Sequence, residues 1–229
     1  LGGDPDSVAQ NLMSNTLGTK YTCPNKDNNY NMTLFDNYNY TVYVPTNNSI
    51  RELIDNGYLP TWEDFEKYYT ISVESNDADS IAYAKIAKYI IKQRITDFVR
   101  YHVQDNSVAI NGAPNMDVQG NYLLSNEFET MKLNPENKRY FSLKVSQSGP
   151  KAGSSAFINI EDVMGNKRSV VTTSSNLYNH FCRDMWLETS GSTRFIYTSS
   201  DAVVHQIDGA LFFSADQKTS WRDAVEKAY

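Results

Sequence analysis

Three histidines, His102, His180 and His205, are the side chains of this sequence best suited to moving a proton near neutral pH, and Cys23 and Cys182 are its only thiols. A zinc cassette needs ligands in closely spaced pairs, and His180, two residues before Cys182, makes the single such pair. No HExxH helix signature and no Gly-x-Ser-x-Gly nucleophile turn is present. Asn25, Asp27, Asn29 and Asn31 place oxygen side chains at alternate positions, as calcium loops do. The turn glycine and the closing bidentate glutamate are missing, so the segment reads as a solvated loop. Cys23 and Cys182 can form a disulfide only if distant segments meet, and the pair is expected to stay unbridged. The expectation is a non-enzymatic chain with no catalytic residue, cofactor or metal.

The elements that would carry these residues follow from periodicity. Ala87, Ile91, Ile95, Phe98 and His102 step by four, four, three and four, which predicts a helix over 78–100 with His102 closing its apolar stripe. A histidine in that position reads first as a packed, hydrogen-bonded side chain. Val203, His205 and Ile207 alternate on one strand face, with the same implication for His205. Earlier in the chain, 6–16 reads as a helix, and 32–35 and 40–44 as two strands around a turn at 36–39. Pro45 ends the second strand, and Thr46 or Asn47 can cap a helix whose Ile50, Leu53 and Ile54 face the core and which Asn56-Gly57 closes. Thr61 is placed to cap another helix reaching about 69. Strand-like runs follow at 107–110, 122–124, 140–145, 156–160, 169–173, 195–198 and 203–207, with turns at Gly165-Asn166 and Gly191-Ser192. At Asp208-Gly209 the chain must turn, with Gly209 expected at positive φ and Asp208 bonding its own backbone two residues on. Helices first and strands later argue for an α+β fold.

Three segments in this order resemble the fasciclin-like domain family, of bacterial surface or lipoprotein type: TVYVPTNNSIREL at 41–53, Tyr101-His102-Val103, and DAVVHQIDGALFF at 201–213. Val44 stands where the family usually has Ala and Ile50 where it has Phe. Asp201-Ala202 replaces Asn-Gly, and Phe213-Ser214 replaces Leu-Pro. The resemblance implies a wedge-shaped β-sandwich with flanking α-helices. It spans one domain over 1–214, with surface insertions near 55–80 and 174–200 and a helical tail or linker at 215–229. It makes Pro45, Thr46, Asn47, His205, Asp208 and Gly209 structural motif positions. In vertebrate relatives the Tyr-His region is linked to integrin binding, which implies partner contacts at Tyr101 and His102 with flanks Ile95, Phe98, Val99 and Val103.

Composition bounds the partners. The 229 residues are 40% hydrophobic, enough for one sizeable core, and the formal charge is −6 without a basic stripe to neutralise phosphates, so nucleic acid is not an expected partner. No run approaches a membrane span and the first residues lack signal-peptide character, so an export signal and any anchor are expected outside this chain. The role that the fasciclin-like resemblance implies is adhesion or scaffolding at the cell surface, through a surface or matrix protein. The alternative is a polysaccharide-binding accessory protein that stacks sugars on Trp62, Tyr68 and Tyr69, and a hydrolase ranks below it. Asn31, Asn39 and Asn47 also open glycosylation triplets, which Asn-rich sequence produces readily.

Overall fold

The computed structural model describes residues 39–190 and 193–229, the side chains of 182–201 excepted. The expected helix at 6–16, strand at 32–35, loop at 25–31, Cys23, the Asn31 triplet and the Gly191-Ser192 turn lie outside these residues, as does the Cys182 side chain. The described residues combine four α-helices with one eight-stranded sheet.

Strand β1, Asn39–Pro45, sends Thr41 and Tyr43 to one face and Tyr40 to the other, and all three are buried. Pro45 ends it. Thr46, with an extended backbone, then caps α1, Asn47–Asp55, accepting the Ser49 backbone N–H at 3.4 Å. Asn47 is the first helical residue and is exposed, so the cap belongs to Thr46. Helix α1 buries Leu53, and Gly57 at φ 69° reverses the chain. Thr61 and Asp64 form a reciprocal capping box at the start of α2, Trp62–Glu74, which runs past the expected end at 69. Asp77 caps α3, Ala78–Tyr101, the long helix expected from periodicity, and His102 ends it. The segment 215–229 forms a short 3-10 turn and α4, Trp221–Ala228. Trp221 and Val225 are buried against Phe65 of α2 and Ala87 and Ile91 of α3. The tail is thus a packed helix and not an extended linker. Neither α3 nor any other described helix is long and apolar enough to cross a membrane.

The remaining strands are β2 (Val103–Asp105), β3 (Ser125–Leu133), β4 (Tyr140–Gln147), β5 (Ile158–Glu161), β6 (Lys167–Ser169), β7 (His180–Ser190) and β8 (Thr193–Ile207). Their order in the sheet is β6-β5-β4-β3-β2-β1-β8-β7. All neighbours are antiparallel except β1 and β8, which run parallel from Asn39↔Asp201 to Pro45↔Ile207. The sheet curls until its β6 end meets β8. Val170 bridges Ile207, the Val171 N–H donates to Gln206 O (2.8 Å), and the Asp208 N–H donates to Ser169 O (3.1 Å). The core lies inside this curl, where Tyr43, Phe128, Leu143, Val145, Ile158, Ile160, Ile207 and Leu211 pack together.

Several expected strands are corrected. Residues 107–110 are irregular: Val108 N–H donates to Thr41 Oγ1 (2.9 Å) and Ile110 N–H to Asn179 Oδ1 (2.8 Å), so side chains replace a ladder. At 122–124 only Tyr122 makes an isolated bridge, to Met116, and the strand proper begins at Ser125. The runs 195–198 and 203–207 are one strand, β8. The stretch 174–200, expected as surface elaboration, contains β7 and the start of β8, and 55–80 holds α2, which contributes Phe65 to the helical core. The bend at Asp208-Gly209 exists, but its mechanism differs. Gly209 does not take a positive φ. A Cβ there would instead meet Arg168 at 2.6 Å from Nε, while Asp208 Oδ1 accepts the Ser169 N–H (3.0 Å) across the sheet closure, not a bond from its own turn.

Candidate binding groove

The Tyr-His pair at the end of α3 points inward. His102 is 3% exposed: Nδ1–H donates to Phe98 O (2.7 Å), and Nε2 accepts the Leu211 N–H (3.0 Å). Those partners define a neutral ring, and burial pushes its pKa down to about 4 against the weaker opposing pull of the Phe98 carbonyl and Asp162. Tyr101, fully buried, accepts the Val163 N–H at its hydroxyl (3.1 Å), and desolvation raises its pKa. Val103 is buried beside Tyr40 and Ala202, while Ile95, Phe98 and Val99 are half-buried. Tyr101, His102 and Val103 are therefore withdrawn from direct contact with a partner: Tyr101 and His102 join α3 to the segments at 162–164 and 208–213, and Val103 packs against Tyr40 and Ala202.

His205 behaves alike. It is fully buried; Nε2–H donates to Val108 O (2.7 Å) and Nδ1 accepts the Asn179 N–H (3.1 Å), with its pKa lowered by burial. Exposed His180 bonds Asn176 O through Nε2 (2.6 Å). These ring hydrogen bonds all go to main chain, and among the described residues no three His, Cys, Asp or Glu side chains converge on a metal-sized site. Trp62, Tyr68 and Tyr69, expected as a sugar-stacking surface, are half-buried packing: Trp62 lies 5.1 Å from Phe65, and Tyr68 meets Trp221 edge-on at 6.1 Å.

One functional-looking residue had no sequence expectation. Asp162 is buried, and its carboxylate accepts N–H groups from Met164 (2.9 Å), Asn166 (2.9 Å) and Phe212 (2.8 Å) and from the Asn166 side-chain amide. It anchors the segment after β8 to the β5–β6 turn. The Asp-Val-Met-Gly-Asn run, with Gly165 at φ 79°, is the signal that could have found it.

That anchoring forms one wall of a groove of about 270 Å³ between the end of α1, the outer face of α3 and residues 212–217. Leu53, Leu59, Phe98 and Phe212 make its apolar floor. Its walls are tied together. The Arg94 guanidinium donates to Thr219 O (2.8 Å), to Thr219 Oγ1 (3.2 Å) and to Tyr58 O (3.3 Å). Asp97 pairs with Lys132 at 2.7 Å, and the same ammonium sits 4.9 Å from the Phe213 ring centre. Tyr89, 64% exposed, and Gln93 lie on the rim, with Asp216 opposite. Tyr89, Gln93 and Asp97 recur every four residues on α3, a second stripe beside the apolar one and the only sequence trace of the groove.

No family model matches the chain, and no curated protein is significantly similar to it.

Proposed function

We propose that this chain is a fasciclin-like contact domain, its curled sheet the wedge-shaped β-sandwich of that family. In this reading it is a non-enzymatic adhesion or scaffold module outside the cell, held there by a segment beyond this chain and engaging a surface or matrix protein. The observation that carries the reading is the groove: an apolar floor between walls fixed by Arg94 and the Asp97–Lys132 pair, opening on exposed Tyr89 and Gln93. A preformed concavity loses little conformational freedom when a partner enters it. The contact surface thereby moves from the buried Tyr101-His102 pair to the groove lined by Tyr89, Gln93 and Asp97, and Phe98 is the one residue shared between the two.

The test is saturable retention of the purified chain on immobilised fibronectin and collagen. Tyr89→Asp should reduce retention, whereas Val118→Asp, at a nearly fully exposed position between β2 and β3 that does not line the groove, should leave it unchanged. Equal loss in both variants, or no retention of the parent chain, would refute the assignment of contact to the groove.

A further inference from the structure

We infer that the groove recognises a single neutral pyranose ring, such as the terminal sugar of a surface glycan; this rests on the contact-domain reading and names the ligand of that site. The size comes first. About 270 Å³ is just under the roughly 300–1,000 Å³ of common ligand sites, so there is room for one ring and not for a folded segment.

Chemistry then selects among small occupants. The charges that line the groove are committed within the chain: Arg94 to the carbonyls of Tyr58 and Thr219, Asp97 to Lys132, and Asp216 to the charge of Arg94, which it favours. A charged ligand would have to break those ties, so a neutral one is preferred. The floor is apolar, yet Tyr58, Gln93 and Asp216 line the same space, and among the described residues none of their side chains makes a hydrogen bond. A purely apolar side chain would cover the floor while stripping water from these groups without replacing it. A pyranose satisfies both demands at once. Its C–H face can lie on the exposed Tyr89 ring or on the floor, and its hydroxyls, each donor and acceptor, can meet an amide, a carboxylate and a phenol.

The rim residues are also safe to change. Tyr89 and Gln93 are exposed on the middle of a long helix, and Ala is a better helix former than either.

The experiment titrates the whole chain with the methyl glycosides of mannose, galactose, glucose and N-acetylglucosamine, read by saturation-transfer NMR and calorimetry. At least one should bind with a Kd on the order of millimolar, and Gln93→Ala and Tyr89→Ala should each weaken it by about tenfold with unchanged melting temperature. Absence of saturation transfer from all four glycosides, or binding that survives both substitutions, would overturn the inference. Retention on fibronectin before and after enzymatic removal of its glycans separates this inference from the one beneath it. Retention lost with the glycans supports the pyranose site. Retention that persists without them, in a chain that binds no glycoside, leaves the contact domain standing and removes the sugar. Glycoside binding without any retention keeps the sugar and removes protein contact.

Discussion

At His102 the ring must stay neutral to accept the Leu211 N–H, and its folded pKa of about 4 lies below the ordinary 6.5. The unfolded chain therefore takes up the proton first as pH falls. The stability this residue confers is complete above about pH 6.5 and is lost progressively down to about pH 4, a decline on the order of 3 kcal/mol. His205, shifted in the same direction, adds to it. Urea midpoints measured from pH 7 to 4 should fall, and His102→Gln should be less stable at pH 7 but show a shallower decline. An unaltered slope in that variant would assign the acid sensitivity elsewhere. At Gly209 the constraint is space. Arg168 Nε, which donates to Ala210 O at 3.0 Å, lies only 2.6 Å from where a Cβ would sit. Gly209→Ala should cost about 1 kcal/mol, the worth of that displaced bond, and close to nothing in an Arg168→Ala background. Equal cost in both backgrounds would point to backbone strain instead.

Among the elements, those settled by neighbouring residues were readable in advance and those settled from afar were not. The α3 stripe, the Thr61 cap and the Asn56-Gly57 stop all act within a few residues, and all three signals act where the sequence places them, although α2 runs on from its expected end at 69 to Glu74. Val108 and Ile110 alternate like a strand, but their backbone is held by Thr41 and Asn179, partners that no local window contains. Strand β3 escaped notice because SNEFETMKL buries only Phe128 and Thr130, too little apolar alternation to stand out. The groove was hidden for a related reason: one wall is α3's second stripe, but the other is a segment brought in by Asp162. The cap at α1 separates two neighbouring candidates. Thr46→Ala should lower stability by about 1 kcal/mol and Asn47→Ala by a few tenths at most, measured by chemical denaturation. The reverse order would place the helix start one residue later.

For the whole molecule, the helical layer depends on its last element. Trp221 is buried to 2% exposure among Phe65, Ala87 and Ile91, so Trp221→Ala should cost roughly 3–5 kcal/mol and loosen α2, α3 and α4 together in hydrogen exchange. Protection lost in α4 alone would mean that the tail merely rests on the others. The parallel pairing of β1 with β8 has a consequence in time. Asn39 to Pro45 lie in the middle of the sheet, yet the strand they must run beside, 201–207, leaves the ribosome long after them, with every other strand of the sheet made in between. Until it emerges β1 has at most one of its two flanking strands, and the apolar face around Tyr43 cannot close. Contacts so distant in sequence form slowly and expose a sticky edge meanwhile. The sheet therefore cannot be completed until residue 207 is free of the ribosome.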